Sequence, residues 1–543
     1  MKHLPYLLIL TLLTLIACNA TPDGEKAKKV VTIDNLKKHV EYLSSDLCEG
    51  RKPFSKGAER AVEYLAQEMK SIGLKPIQGD SYLQEVPLVL SQTQCSEVMA
   101  INTPKGKLDL KHNEGFVAFS KRIEEEISID KAELVFAGYG IVAPEYGKND
   151  YAGIENPENK VAIVMVNDPG LGSTGHYFKG DTMTYYGRWT YKFEEGARQG
   201  LKGVLIIHED RGAGYPFSVP VASAGSKLYV NNPDDSSYHC ALEGWLSNSA
   251  ARELLKQNGY DMDKLIAEAK KPDFQPFDLK SDVSVSMKNR FTYNSSPNVV
   301  GYIEGSKPNE ENIVCIAHWD HLGYGKPING DSIINGTTDN ATAMAWLLET
   351  ARAFKALDKQ PERSIVFLVP TCEETGFHGT TYYVQNPIFP IEKTISVINL
   401  DVIPLWGANN DVTITGYGHS TLDDMVTRLA AKYNRYVMAD PEAFNGMFYR
   451  SDHFPFMQQG VPAMFAKGWS DNRQHGKEWA SAKIKDYWAN IYHKPTDQLY
   501  PETDNYEGLM QEVHLFFDLA YELVTTDVYP QWKPASEFAN IRK

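Results

Sequence analysis

The sequence contains little cysteine, has a deficit of positive charge, and shows no internal repeat or long low-complexity segment. Six cysteines occur in 543 residues, and no two have Cys-x-x-Cys spacing, so neither a disulfide scaffold nor a zinc ribbon is indicated. The net charge of -15 offers no basic face for a phosphate backbone, and nucleic acid is not an expected partner. The length predicts two or three domains, and 42% hydrophobic residues allow a large core.

The first segment has the pattern of an export signal. Residues 1–17 combine a basic start with an apolar stretch too short to span a bilayer comfortably. They end in Leu15-Ile16-Ala17-Cys18, which resembles the bacterial lipobox, and Cys18 is then the lipidated residue; an ordinary signal peptide with a chance cysteine is the alternative. Asn19 is not an inner-membrane retention aspartate, so we expect an exported cell-envelope lipoprotein, anchored by lipid to the outer membrane. Residues 18–30 are small and polar and predict a flexible tether.

Three short apolar runs, at 313–317, 365–369 and 395–400, are each followed by metal-type side chains. Runs of this length, separated by helical patterns, predict buried parallel strands. In such sheets, sites form at the carboxyl ends of the strands. The side chains at these ends are His318 and Asp320, Glu373 and Glu374, and Asp401.

These side chains are typical zinc ligands, since zinc takes histidine nitrogen and carboxylate oxygen. Two neighbouring zincs need five or six protein ligands, one of them bridging, and a shared water. Apolar residues at helical spacing between 341 and 357 place Asp339 at the start of a helix, where an ordinary N-cap is the alternative role. The candidates are His318, Asp320, Asp339, Glu373, Glu374, Asp401, His493 and Asp497.

Six ordered motifs make the pattern specific. They resemble the motif set of the co-catalytic di-zinc aminopeptidase family, which includes bacterial leucyl aminopeptidases and glutamate carboxypeptidase II. The motifs are Ala317-His318-Trp319-Asp320-His321, Asn335-Gly336-Thr337-Thr338-Asp339-Asn340-Ala341, Cys372-Glu373-Glu374-Thr375-Gly376, Ile398-Asn399-Leu400-Asp401, Ser451-Asp452-His453 and Tyr492-His493-Lys494-Pro495-Thr496-Asp497.

The resemblance implies an α/β fold, with a mixed, mostly parallel sheet flanked by helices on both faces. Residues 31–99 would be the N-terminal part of the catalytic domain, and residues 288–543 would complete it. Residues 100–287, with short strands and many turns, are similar to the β-rich protease-associated domain inserted in many members.

The resemblance also implies a role for each residue of the site. His318 and Asp401 would bind one zinc, Glu374 and His493 the other, and Asp339 both, with a cis peptide bond after Asp339. Asp320 would orient His318 through its second ring nitrogen, and Glu373 would be the general base. Asp452 and His453 would line the substrate pocket or support the ligands.

The implied reaction is hydrolysis of a peptide bond, with release of N-terminal residues from peptide substrates. Thr338 stands where many members have aspartate, and it resembles the glutaminyl cyclases of the same superfamily, which bind one zinc. Two other functions stay possible: an enzyme with carboxypeptidase or dipeptidase specificity, and a non-catalytic ectodomain. The sequence does not indicate the oligomeric state.

Overall fold

A computed structural model describes residues 23–173, 175 and 177–542. The predicted signal peptide and Cys18 lie outside the described residues. The described part of the predicted tether is packed, contrary to the expectation of flexibility. Residues 23–30 form two short helical segments, and Lys28 is buried with its Nζ 2.8 Å from both Asp518 Oδ1 and Tyr433 Oη. The polar composition of this segment could not predict the contact, because the groups that pair with Lys28 lie far along the chain.

The helices and strands of the described residues alternate along most of the chain. The helices are α1 Asp23–Ala27, α2 Ile33–Leu43, α3 Lys56–Ile72, α4 Trp189–Arg198, α5 Asp210–Ala213, α6 Ser218–Ala224, α7 Asn248–Gln257, α8 Met262–Ala269, α9 Thr342–Lys355, α10 His378–Gln385, α11 Leu422–Lys432, α12 His453–Gln458, α13 Gly476–Asp486 and α14 Glu507–Thr525. The strands are β1 Lys75–Pro76, β2 Leu83–Cys95, β3 Val98–Thr103, β4 Gly106–Lys111, β5 Phe116–Phe119, β6 Glu126–Phe136, β7 Val142–Ala143, β8 Lys148–Asn149, β9 Lys160–Met165, β10 Gly203–Ile207, β11 Ser226–Val230, β12 Leu242–Leu246, β13 Phe277–Ile303, β14 Asn312–Ile316, β15 Gly323–Ile328, β16 Asp331–Ile334, β17 Ser364–Val369, β18 Thr394–Asn399, β19 Asp411–Ile414, β20 Tyr436–Ala439 and β21 Ala463–Lys467.

The sheet that carries the site runs in the order β13, β17, β14, β18, β21, β19, β20. Its centre, from β17 to β21, is parallel, and every residue of β14 and β17 is buried. One face packs against α2, α3, α9 and α14, and the other against α10 and α12. The predicted mixed, mostly parallel sheet with helices on both faces is therefore confirmed, and the three apolar runs are its central strands.

Residues 98–285 form apolar cores of their own around β6, β9, β10 and β12. These four strands pair in parallel, in the order β6, β9, β10, β12. The long strand β13 joins this region to the other sheet, pairing with β6 near its start and with β17 near its end. It runs through residue 287, where the sequence places a domain boundary. The boundaries and the likeness to a protease-associated domain stay predictions.

One local expectation differs from the structure. Asp339 does not begin or cap α9: it lies in the preceding turn, Thr337–Ala341, with extended φ and ψ of -116° and 86°. No helix within the described part of the chain is both long and apolar enough to cross a membrane.

Candidate metal centre

The carboxyl ends of three parallel strands place the predicted ligands at one edge of the sheet. His318 lies just beyond β14, Glu374 follows β17 and Asp401 follows β18. Asp339 comes from the turn before α9, and His493 follows a helical turn that ends at Ile491. Because parallel strands end at the same edge, residues up to 175 positions apart meet here.

The side chains form two groups that share Asp339. In the first, Nε2 of His318 lies 3.3 Å from Asp339 Oδ1 and 3.4 Å from Asp401 Oδ1. In the second, Nε2 of His493 lies 3.4 Å from Asp339 Oδ2 and 3.1 Å from Glu374 Oε2. Each carboxylate oxygen of Asp339 thus faces a different histidine, as a bridging ligand requires.

The geometry fits zinc. With zinc-ligand bonds of about 2.0–2.1 Å, two ligand atoms of a tetrahedral site lie about 3.3 Å apart, close to the separations above. Asp339 Oδ1, Asp401 Oδ1 and His493 Nε2 are buried and have no hydrogen-bond partner among the described residues. Buried carboxylates crowded together are costly without cations between them. The nitrogen and oxygen donor set is one that zinc accepts.

Glu373 lies beside the groups without joining either of them. Its Oε2 is 3.9 Å from Nε2 of His318, and its side chain is almost completely buried. Burial, together with the carboxylates of Asp401, Glu374 and Asp452, raises the pKa of Glu373 well above its ordinary value, against the opposing effect of His318. These surroundings make the Glu373 carboxylate a stronger base than a free glutamate.

Asp320 contacts His318, but it does so through its main-chain oxygen and not through the side chain that was expected to orient the histidine. The ring nitrogen Nδ1 of His318 contacts the main-chain oxygen of Asp320 at 3.1 Å, whereas the Asp320 carboxylate is 3.8 Å away. That carboxylate instead accepts hydrogen bonds from the main-chain N–H groups of Glu373 and Glu374, at 2.9 and 3.4 Å. Asp320 therefore couples the end of β14 to the two glutamates.

Asp452 and His453 are completely buried, which differs from the expected lining of a substrate pocket. Asp452 Oδ1 accepts a hydrogen bond from Thr380 at 2.6 Å. The ring nitrogens of His453 contact the Asn399 amide nitrogen and the Phe448 main-chain oxygen at 3.2 and 2.7 Å. Direct contact with a substrate would require these interactions to open, so both residues stabilise the interior in this structure.

Comparison with known proteins relates the residues of this site to a protein family. Residues 298–514 match the model of Peptidase family M28. The matched residues 298–514 are called the M28 region below. This region includes every residue of the two ligand groups and the sheet edge on which they lie.

Relatives match parts of the chain. Aminopeptidase NAALADL1 of Mus musculus is 32% identical over 139 residues, which are 24% of this chain and 17% of that protein. Leupeptin-inactivating enzyme 1 of Streptomyces exfoliatus is 26% identical over 206 residues, covering 37% of this chain and 43% of that protein. The chain thus spans less than half the length of these relatives. The solved aminopeptidase from Aneurinibacillus sp. strain AM-1 aligns with a TM-score of 0.47 at 18% identity, over 93% of this chain and 97% of that one.

Arg51 supports the site from outside the residues that match the family model. Its side chain is completely buried. Its guanidinium donates hydrogen bonds of 2.6–3.3 Å to main-chain oxygens in three segments around the ligands, those of Leu43, Trp319, Asn335, Gly336 and Asp339. Only the fold shows what the arginine binds.

Two further contacts hold Asp339 and Asp401 in place. The Asp497 carboxylate accepts hydrogen bonds from the main-chain N–H groups of Thr338 and Asp339, at 3.0 and 3.1 Å, and the Asp339–Asn340 peptide bond is cis as expected from the family. Lys467 Nζ donates to the main-chain oxygen of Asp401 at 2.9 Å, and burial lowers the pKa of Lys467 to about 8. Lys467 has no distinctive signal in the sequence, whereas Asp497 occupies a position of the family motif.

Proposed function

We propose that this protein is a zinc-dependent exopeptidase, most simply an aminopeptidase that releases N-terminal residues from peptides. One observation carries the proposal: two ligand groups share Asp339, and the carboxyl of Glu373 lies next to them. The assignment of His318, Asp339, Glu374, Asp401 and His493 as the ligands of two zinc ions is part of the proposal.

The chemistry follows from these positions. Zinc bound here would supply a Lewis acid for the scissile carbonyl and lower the pKa of a water. Glu373 takes the proton of the attacking water at a carboxylate oxygen and passes it to the leaving amine. The Asp320 carboxylate holds Glu373 in place by accepting a hydrogen bond from the Glu373 main-chain N–H. The surrounding carboxylates favour a substrate with a free, positively charged amine.

The names of the relatives agree with this direction of cleavage, since aminopeptidase NAALADL1 is one of them. A relative is also named a leupeptin-inactivating enzyme, which suggests that peptide-like molecules fit such sites. Both names support a peptidase more than a cyclase, and a cyclase is the alternative that Thr338 keeps open.

The deciding experiment is hydrolysis of a panel of free-amine and N-blocked peptides by the protein without residues 1–18. Zinc content is measured in the same sample. About two zincs per chain, cleavage of free-amine substrates only, and loss of cleavage with a chelator are expected. One zinc and reaction only of N-terminal glutamine would make the protein a cyclase. Cleavage of N-blocked peptides from the carboxyl end would make it a carboxypeptidase.

The cellular location is a separate proposal. We infer from the pattern ending at Cys18 that the protein is an exported lipoprotein of the cell envelope, anchored to the outer membrane. Growth of cells with a labelled lipid precursor should label the wild-type protein and not Cys18→Ala. Absence of label in the wild type, or label that persists in the variant, would refute the anchor and leave the peptidase proposal intact.

A further inference from the structure

His321 contacts a proposed zinc ligand, although neither the motifs nor the comparisons give it a role. It follows Asp320 in the loop after β14, and its side chain is buried. Its Nδ1 lies 2.5 Å from Oε1 of Glu374. The other oxygen of that carboxylate, Oε2, lies 3.1 Å from Nε2 of His493. The two oxygens of Glu374 therefore have different partners.

The direction of the hydrogen bond follows from the chemistry of the two groups. An ionised carboxylate only accepts, so Nδ1 of His321 carries the hydrogen and donates it to Oε1. Nε2 of His321 is buried and has no hydrogen-bond partner among the described residues.

The imidazole is held on several sides. The main-chain N–H of His321 donates to the main-chain oxygen of Arg51 at 3.2 Å. The ring packs edge-on against His493, with centroids 5.6 Å apart and planes at 74°. Gly336 has φ +61°, and a Cβ there would lie 2.5 Å from Cδ2 of His321. The ring thus has a defined position before any ligand binds.

We propose that His321 is a positioning residue that fixes the carboxylate of Glu374 so that Oε2 alone is presented to the second metal. This inference rests on the proposed function, because it assumes that a metal binds to His493, Glu374 and Asp339. Hydrogen bonds to the outer oxygen of a ligating carboxylate orient it and strengthen binding.

A direct ligand role for His321 is the competing explanation. Ligand atoms of His321, Asp339, Glu374 and His493 all lie within 4.8 Å of one another. Three protein ligands already leave a catalytic zinc its open position, whereas a fourth would fill it. The short contact to Oε1 directs Nδ1 toward the carboxylate, which favours positioning over ligation.

Two substitutions of similar polarity separate these roles. His321→Asn places an amide nitrogen near the position of Nδ1 and keeps the hydrogen bond to Oε1. His321→Gln places its amide nitrogen near Nε2, away from Oε1. Asparagine should preserve the affinity for both zincs, whereas glutamine should weaken one of the two by about 10- to 100-fold. Calorimetric titration of the metal-free proteins with Zn²⁺ measures this, and Co²⁺ absorption spectra report the ligand set.

His378→Gln is a matched control, since His378 is another buried histidine, four residues after Glu374 in the chain, that lies outside both ligand groups. It should bind both zincs as the wild type does, and urea unfolding of each metal-free variant checks the fold. Equal loss in His321→Asn and His321→Gln would make His321 a ligand, and equal retention would give it no role; either result overturns the proposal, as would equal loss in His378→Gln.

The two proposals fail in different ways. If the wild type binds two zincs but hydrolyses no peptide, the proposed function is wrong, and the comparison of asparagine with glutamine still decides the role of His321. If the wild type binds zinc and cleaves peptides, only the pattern of affinities among the variants tests the inference.

Discussion

At the scale of single residues, Glu373 and Glu374 are neighbours with different surroundings. Glu374 Oε2 faces His493 at 3.1 Å, whereas Glu373 stands outside both ligand groups. We predict that Glu373→Gln retains zinc and lowers kcat by at least about 10²-fold, because glutamine cannot carry the proton. Steady-state kinetics with zinc analysis measures this. Glu374→Gln is the control and should lose zinc affinity; full activity in Glu373→Gln would remove its role as the base.

A second residue-scale prediction concerns stability and pH. Glu243 on β12 is buried, and burial raises its pKa to about 7, against the opposing effect of Lys121 and Lys227. A raised pKa stabilises the fold at low pH, and this contribution is lost as pH rises from about 4 to about 7. Glu243→Gln does not ionise, so its stability relative to the wild type should increase over that window, by about 3 kcal/mol.

Urea unfolding of the wild type and Glu243→Gln at pH 4.5 and pH 8 checks this prediction. Glu268→Gln, at an exposed position on α8, is the control and should show no such difference between the two pH values. A Glu243→Gln variant whose relative stability is the same at both pH values would show that this carboxyl does not titrate in the expected window.

At the scale of elements, Arg51 connects the loops around the site to one another. It binds main-chain oxygens at the end of α2, in the loop after β14 and in the segment that leads to α9. Arg51→Met would leave five buried carbonyl oxygens without this donor. Since each unsatisfied buried group costs about 1–3 kcal/mol, we predict destabilisation by at least about 4 kcal/mol and weaker zinc binding.

Urea unfolding and zinc titration measure both effects. Arg51→Lys should recover only part of the stability, because an ammonium has three donors and lacks the planar fork of the guanidinium. Arg60→Met is the control, since the side chain of Arg60 is 42% exposed, and it should cost less than about 1 kcal/mol. Equal stability of Arg51→Met and Arg60→Met would show that the network around Arg51 is dispensable.

At the scale of the whole molecule, Glu537 joins three distant parts of the chain. Its carboxylate accepts hydrogen bonds from Lys179 Nζ at 2.6 Å, the Tyr185 main-chain N–H at 2.9 Å and the Tyr449 hydroxyl at 2.7 Å. Burial alone would raise the pKa of Glu537, but His419 and Lys179 hold it at about 2. The carboxylate thus links the region of residues 98–285 to the M28 region.

We predict that Glu537→Ala lowers the free energy of unfolding by at least about 2 kcal/mol, because it leaves buried partners unpaired. It should also expose residues 98–285 to proteases earlier than in the wild type. Calorimetry and limited proteolysis measure these effects. Glu522→Ala, which removes a pair with the exposed Arg428, should cost less than about 1 kcal/mol. Unchanged proteolysis in Glu537→Ala would place the link between the regions elsewhere.

The sequence by itself determined the central strands and the candidate ligands. β14 and β17 are almost continuous apolar runs because both of their faces are covered, and local composition records this burial. His318, Glu374 and Asp401 follow β14, β17 and β18 within five residues, whereas Asp339 and His493 were found from the order of the motifs.

The tertiary structure alone decided how the site is supported and which polar residues are buried. The hydrogen bonds of Arg51, the contact between His321 and Glu374, the hydrogen bond from the Glu373 main-chain N–H to the Asp320 carboxylate and the packing of Lys28 all join residues far apart in the chain. Asp452 and His453, expected to line the substrate pocket or to support the ligands, are completely buried. Side-chain periodicity reports which face of an element is covered, but it carries no information about which distant polar group meets a given charge, and only the folded chain supplies that partner.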